Sequence, residues 1–415
     1  MEKFDTLIIG AGQAGLVMSH ALSKRGQKHV IVERGRIAER WRTERWDGLH
    51  FQTPNLLVGL PGYPLVHDNP NGFATAAQIA DFLEGYASFV AAPVRQGISV
   101  TRLALTDTGG PFLLEITNGP LCAGNVVVAT GPFQRPVIPR MVPRDSEVLQ
   151  LHAADYRRPS QLPDGGVVVI GAGASGAQIA EELMRAGRRV YFAVGKHKRA
   201  PRWYRGNDHV WWWVETGLVS APPERRSPDP SPLVHTGAYG GHTIDFRDYA
   251  RQGMTLLGRA VTANKEGMTF AADLADNLAH GDAAYLAFLD FVDAYVERTG
   301  MDVPHDSAAR TIASTPATMH QPIRQLNFRE QGVGAVIWAT GYDLDFSWID
   351  IPVLDERGAP IHDKGVTQFP GLYFLGLNFL SKFSSSFLIG VAEDAERLAL
   401  DIARRGGVTT STIPR

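Results

Sequence analysis

One cysteine, Cys122, in a chain of 415 residues leaves no partner for an intramolecular disulfide and no Cys-x-x-Cys redox pair. An excess of one charge is missing too. Lys and Arg number 41 against 43 Asp and Glu, a formal net charge of -2, so neither nucleic acid nor an anionic membrane is an expected partner. No apolar run approaches the roughly 20 residues that span a bilayer, because Gly, Pro or charge closes each one. His-Glu-x-x-His and Gly-x-Ser-x-Gly are absent, so no metal site or serine nucleophile is expected. The chain opens MEKFDTLIIG, a strand pattern where a leader would stand, and a cytoplasmic setting is the expectation. The rest is globular in composition, 44% hydrophobic and 20% charged. Single cores stop growing at roughly 250–300 residues, so the length suits at least two domains.

Glycine, by contrast, is placed twice in the same device. Residues 5–34 read DTLIIGAGQAGLVMSHALSKRGQKHVIVER. Leu7 to Ile9 predict a buried strand, Gly10, Gly12 and Gly15 take the G-x-G-x-x-G positions, and a helix runs to about Lys24. A second strand, His29 to Val32, delivers Glu33. In such a βαβ unit the first glycine makes the tight turn, the second lets a pyrophosphate approach, and the third lets helix pack on strand. A carboxylate at Glu33 can accept bonds from ribose hydroxyls and repels a 2′-phosphate, which favours FAD or NAD over NADP.

The second device follows VVVI as Gly171, Gly173 and Gly176, with Ser175 in the opening turn of the next helix. Its second strand, within RRVYFAV (188–194), ends in GKHKR with no acid. Lys196, Lys198 and Arg199, with Arg202 just beyond, could pair with a 2′-phosphate, which favours NADPH. The same run also reads as a solvated basic loop, and NADH stays open. Two cradles of opposite electrostatic character imply two dinucleotides: a resident flavin and a diffusible hydride donor.

NVVVATG (125–131) and AVIWATG (335–341) are strands ending in small-residue turns, which makes Thr130, Gly131, Thr340 and Gly341 candidates to line a dinucleotide or a domain crossing. Near the C terminus, Gly376 and a serine-rich loop precede a helix predicted from about Ser386. Ala392, Ala395, Leu398 and Ile402 fall at helical spacing on its inner face. The fold class that follows is α/β, with two Rossmann-like dinucleotide-binding domains. The FAD domain is discontinuous, 1–158 and 331–415. The NADPH domain, 159–330, carries a partly helical insertion at about 220–330, in which 272–300 reads as helical over most of its length.

After Glu33 the chain runs RIAERWRTERWDGLHFQTPNLLVGLPGYP (36–64), with Trp41-Arg42 and Leu49-His50-Phe51-Gln52-Thr53-Pro54. This stretch resembles the flavin-containing monooxygenases and their YUCCA and CzcO-type relatives, in which it packs over the flavin. The resemblance spans about 1–220 and 330–415. It implies that Trp41 and Arg42 contact the flavin, that Gln52 hydrogen-bonds near flavin N5 and C4a, and that the flavin pyrimidine sits at the amino end of the C-terminal helix. Trp46 reads equally as a core aromatic. Leu151-His152-Ala-Ala-Asp-Tyr156 matches the tail of a family fingerprint. His152 is read as a linker holding two domains in register, and Tyr156 tilts the reading toward heteroatom oxidation.

The implied activity is that of a class B flavoprotein monooxygenase, in which NADPH reduces FAD, oxygen adds at C4a, and the resulting hydroperoxyflavin oxygenates a nitrogen or sulfur of a small molecule. Baeyer-Villiger ketone oxygenation, an NAD(P)H oxidase or flavin reductase, and a nonenzymatic NAD(P) sensor are the alternatives. The expected partners are a small substrate and molecular oxygen. Trp211, Trp212 and Trp213 are read either as pocket lining or as the anchor of the insertion, whose exposed aromatic surface would suit a homodimer. The proline-rich stretch 222–232 is read as mobile.

Overall fold

Unbroken aliphatic runs at 7–9, 30–32 and 126–128 suit strands covered on both faces. In the computed structural model, which describes residues 1–106, 111–143, 145–225 and 227–408, they lie side by side inside an eight-stranded sheet. Its order is Ile349–Asp350, Val100–Leu105, Phe112–Ile116, Leu121–Val128, Glu2–Ile9, His29–Glu33 and Val94–Gln96, with Leu372–Phe374 also pairing to Leu121–Val128. Glu2–Ile9 is parallel to both neighbours, and Ile9 sits opposite Val32 and Val128. The three strands therefore end at one level, where loops can converge on a ligand.

The second sheet is wholly parallel: Leu149–His152, Val333–Trp338, Gly166–Ile170, Val190–Ala193 and Thr255–Leu257. Its membership corrects the sequence-based boundaries at 158 and 331. Residues 149–152 and 333–338 belong to this sheet, so the chain crosses before 149 and returns after 338. Val333–Trp338 is too apolar to leave as a connection, and Leu149–His152 pairs along its edge. The two crossings are themselves tied. Tyr342–Asp343 pairs antiparallel with Arg135–Pro136, and Val137 N donates to Gly341 O at 3.0 Å.

The insertion is partly helical, as expected. The helix Leu274–Thr299 matches the predicted 272–300, but Ala260–Ala263, Gly267–Phe270 and Gln325–Asn327 form a small antiparallel sheet. Position 226 lies outside the described residues. Trp212, fully buried, donates its indole N–H to Tyr204 O at 2.9 Å and packs with Tyr285, Leu289 and Val292 of the long helix, which makes it the anchor of this region. Trp213 faces elsewhere, edge-on to Phe383 at 5.3 Å.

The C-terminal helix spans Val391–Val408 and starts five residues later than predicted. Ser384 donates to Val219 O at 2.7 Å, and the Ser385 hydroxyl accepts the amides of Ser381 and Lys382 at 3.0 Å. These side-chain bonds hold the serines in turns, the usual competition between serine and helix. Beyond them Ala395, Leu398 and Ile402 are buried against the first core as their spacing predicts.

Two cradle glycines separate packing from ligand approach. A Cβ on Gly176 would lie 1.8 Å from Gly171 O, whereas one on Gly173 would meet only Pro232, at 3.5 Å. Gly176→Ala should lose about 1–3 kcal/mol of stability through overpacking. Gly173→Ala should leave the urea midpoint of unfolding nearly unchanged, and equal losses in the two variants would contradict this geometry.

Candidate cofactor and active site

Gly10 adopts φ +108°, open to glycine and rare for other residues, and a Cβ there would stand 2.7 Å from Ala129 O. A Cβ on Gly15 would be 1.9 Å from Gly10 O, so helix Gln13–Ser23 lies directly on the strand end. Gly12 is different: nothing lies within 4 Å of its Cβ position. The first cradle is therefore closed on the protein side and open where a pyrophosphate would approach the helix amino end.

That opening leads into a cavity of about 450 Å³, whose walls include Gly10, Gly12, Glu33, Trp41, Thr130, Gly131, Gly376 and Ser386. The volume falls within the roughly 300–1,000 Å³ typical of ligand sites. Glu33 lies at its rim with one carboxylate oxygen on Ala11 N at 2.8 Å and the other on Gly35 N at 2.9 Å. Gln134 steadies the first Ala-Thr-Gly turn by donating to Thr130 Oγ1 at 3.1 Å and Gly131 O at 2.9 Å. Gln13 donates to Ser386 O at 2.8 Å, which draws the C-terminal loop onto the cradle helix. An open glycine cradle, a ribose-reaching carboxylate and a cavity continuing past Trp41 fit an adenine dinucleotide with a flavin ring.

Arg42 does not join this wall. Its guanidinium pairs with Asp81 at 3.2 Å and Glu84 at 2.6 Å, away from the cavity. Arg45 takes the place instead, lining the cavity with its guanidinium 5.3 Å from the Trp41 ring centre and 5.8 Å from that of Phe133. Burial lowers its pKa, the sign of a cation drawn out of solvent. Spacing alone does not separate it from Arg42: helix Glu39–Thr43 ends before Arg45, and the turn that follows carries its side chain to the cavity. Trp46, 4% exposed, packs in the second core beside Tyr156 and is a core aromatic. Gln52 is half-buried, and its backbone carbonyl accepts from Arg202 at 3.0 Å.

The second cradle repeats the first. Gly171 has φ +112° with Ala339 O 2.4 Å from its Cβ position, and helix Ala174–Arg185 begins with Ser175 exposed in its first turn. The cations after its second strand do not form the free cluster that the sequence suggests. Lys198 donates to Asp229 O at 2.7 Å and stands 3.4 Å from the Asp229 carboxylate. Arg199, 6% exposed, is held by Asp282 at 2.7 Å and lies over the Tyr285 ring at 4.3 Å. Arg202, 1% exposed, is paired with Asp208 through its Nε at 2.6 Å. Lys196 alone of the four is exposed without a carboxylate partner among the described residues.

Thr340 donates to Val137 O, and Gly341 O faces His152 Nε2 at 3.0 Å. His152 Nδ1 accepts from Ala154 N at 3.0 Å, so its Nε2 carries the proton and the ring is neutral. It thereby joins one crossing to the other. Tyr156 is fully buried and donates to Glu182 at 2.8 Å, a core role that carries no information about a substrate.

Two outcomes follow. Arg45→Ala should weaken flavin retention about tenfold by loss of a desolvated cation–π and electrostatic contact. Arg42→Ala should retain flavin normally, and equilibrium dialysis of the two variants separates these. His197 and His209 are held neutral, first of all by burial, with His197 lowered from 6.5 to about 4 and His209 well below 6.5. An unfolded chain takes up protons at these sites near pH 6.5, so their contribution to stability is complete above that pH. It should be lost progressively from pH 6.5 to 4. Urea midpoints measured across that window should fall toward acid, and less steeply in His197→Gln.

The family model described as pyridine nucleotide-disulphide oxidoreductase matches residues 7–220. A CzcO-like oxidoreductase of Geobacillus kaustophilus is 36% identical over 96% of this chain and 98% of its own length. The indole-3-pyruvate monooxygenase YUCCA1 of Oryza sativa is 28% identical over 45% of this chain and 47% of its own. Among solved structures, a flavin-containing monooxygenase from Stenotrophomonas maltophilia superposes with a TM-score of 0.66 at 20% identity, covering 98% of this chain and all of that one. No helix among the described residues is long and apolar enough to cross a membrane. With its two glycine cradles at the ends of two sheets, the chain belongs to the pyridine nucleotide-disulphide oxidoreductase family and is an oxidoreductase similar to the CzcO-like proteins.

Proposed function

We propose that this protein is a monooxygenase that uses FAD in the first cradle and NAD(P)H in the second, and that it transfers oxygen to a nucleophilic nitrogen or sulfur of a small organic substrate. The observation that carries the reading is the contrast between the two cradles: an acid at the end of the second strand in one, and none in the other. A second observation bears on where the electrons go. Cys122, the sole cysteine, is 2% exposed on Leu121–Val128 and touches Met1, so disulfide exchange has no thiol pair to run through. This argues against a disulfide reductase, and the reading takes oxygen as the acceptor.

When bound, the flavin supplies hydride acceptance and oxygen activation. The chain's own residues bind, orient and shield. Gly10, Gly12 and Gly15 admit the pyrophosphate, and Glu33 accepts from ribose. Trp41 and Arg45 wall the ring, with Trp41 braced edge-on by Phe51 at 5.6 Å. Gln52 is the candidate to hydrogen-bond at the reacting edge, since Arg202 pins its backbone and so limits where its amide can reach. None of these groups is a strong acid or base. The task they suit is exclusion of water and placement of the substrate.

The test is turnover under ¹⁸O₂ with a panel of amines, sulfides and ketones. The expected result is one labelled oxygen in an N- or S-oxide, with hydrogen peroxide a minor product. Labelled ester from a ketone would replace heteroatom oxygenation by the Baeyer-Villiger reaction. Stoichiometric peroxide with every substrate class would overturn the monooxygenase reading. Gln52→Ala should raise the peroxide fraction, and unchanged coupling would remove Gln52 from the site.

A further inference from the structure

The stretch Ser227-Pro-Asp-Pro-Ser-Pro232 ends on the second cradle. Side-chain carbons of Pro232 stand 3.5 and 3.7 Å from the Cβ position of Gly173, the glycine whose missing side chain leaves room for a pyrophosphate. At Gly12, its counterpart in the first cradle, no described residue lies within 4 Å of that position. The room that Gly173 leaves is thus filled by a proline ring in van der Waals contact, and a phosphate group cannot share it.

The contacts that hold this part of the chain differ in depth. Beyond the stretch the chain is fixed: Val234 is 1% exposed and Thr236 0%, His235 O accepts from Gln178 at 2.9 Å, and Thr236 O accepts from Arg202 at 3.2 Å. The stretch itself lies outside, with Pro228, Pro230 and Pro232 exposed. Its polar ties to other elements, among the described residues, run to Lys198 and His280. Lys198 N donates to Pro232 O at 2.8 Å, Lys198 Nζ donates to Asp229 O at 2.7 Å and Ser227 Oγ at 3.3 Å, and His280 Nε2 lies 2.9 Å from Asp229 Oδ2. Partly exposed pairs such as Lys198 with Asp229 are individually weak. Proline at every second position fixes φ along the stretch, so it moves as a stiff unit.

We propose that residues 227–232 form a strap that closes the second cradle and must peel from Gly173, as far as the anchored Val234, before the pyrophosphate of a dinucleotide can bind. The inference rests on the two-dinucleotide reading above. Opening breaks the short ladder of Lys198 and Arg199 with Leu233 and Val234 together with the Asp229 contacts, and leaves the buried anchors at 234–236 in place. The first cradle stands open, whereas the second takes its ligand only from the opened fraction of molecules, and its apparent affinity is reduced by that fraction.

The experiment uses the full-length, flavin-loaded protein, with NADP⁺ and NAD⁺ each titrated by equilibrium dialysis. Lys198 pairs with Leu233 in the ladder, so Lys198→Cys combined with Leu233→Cys can lock the strap by a disulfide, and Cys122, 2% exposed, does not compete. Unchanged flavin absorbance shows that the oxidised and reduced forms are both folded. The oxidised form should bind nucleotide at least about tenfold more weakly than the same protein after reduction. Asp229→Ala, which removes the carboxylate from His280 and Lys198, should tighten both nucleotides alike, by about threefold, by raising the open fraction. Equal binding by the oxidised and reduced forms, or binding by Asp229→Ala no tighter than by the wild type, would overturn the strap and leave the two-dinucleotide reading standing. Binding of neither nucleotide by the wild type, the reduced double variant and Asp229→Ala would overturn both.

Discussion

A carbonyl oxygen lodged against a glycine α-carbon sets the geometry on which the rest of this molecule depends. In the first half Ala129 O approaches the Cβ position of Gly10 to 2.7 Å, and in the second Ala339 O approaches that of Gly171 to 2.4 Å. Each alanine belongs to an Ala-Thr-Gly turn that arrives from a distant strand, anchored by Ala129 N to Ile9 O at 2.9 Å and Ala339 N to Ile170 O at 2.8 Å. The cradle and the turn are therefore one construction. A side chain at either glycine would push the neighbouring strand away and misplace the helix amino end that faces the ligand.

The two constructions then diverge in what covers them. No described residue lies within 4 Å of the Gly12 Cβ position, so the first cradle opens into its cavity, while Gly173 is bordered by Pro232. The segment that carries Pro232 is positioned by the half-exposed Lys198–Asp229 pair and by the ladder of Lys198–Arg199 with Leu233–Val234, while deeper pairs hold the rest. Buried ion pairs of this kind contribute little net stability, because desolvation offsets most of their attraction, but they fix position. Arg202 is the clearest case: paired with Asp208, it also donates to Gln52 O at 3.0 Å and Thr236 O at 3.2 Å, and lies over the Phe73 ring at 4.7 Å. One side chain thereby ties the second half of the chain to Gln52 and Phe73 in the first.

The same economy explains which side-chain roles could be read from sequence. Glycine positions were legible because steric exclusion is local: a tight turn admits no Cβ, whatever lies beyond it. Glu33 was legible because strand length alone delivers it to the cradle rim. The basic run 196–202 was not. Its cations look alike in sequence, but the carboxylates that neutralise them, Asp208, Asp229, Asp282 and Asp245, lie from six to more than eighty positions downstream. Likewise Arg42 and Arg45 look alike in sequence, but Arg42 is drawn away from the cavity by Asp81 and Glu84 on a later helix.

By itself the sequence determined the α/β class, the paired cradles, the acid of the first and the long insertion helix, since each depends on periodicity or on the space one residue needs. Only the tertiary structure decided where the chain crosses between sheets, which arginine lines the cavity, that Tyr156 and Trp46 are core, and that most of the second cradle's cations are already spent. Those outcomes depend on which groups meet across hundreds of residues, because charge and packing act through distance in space.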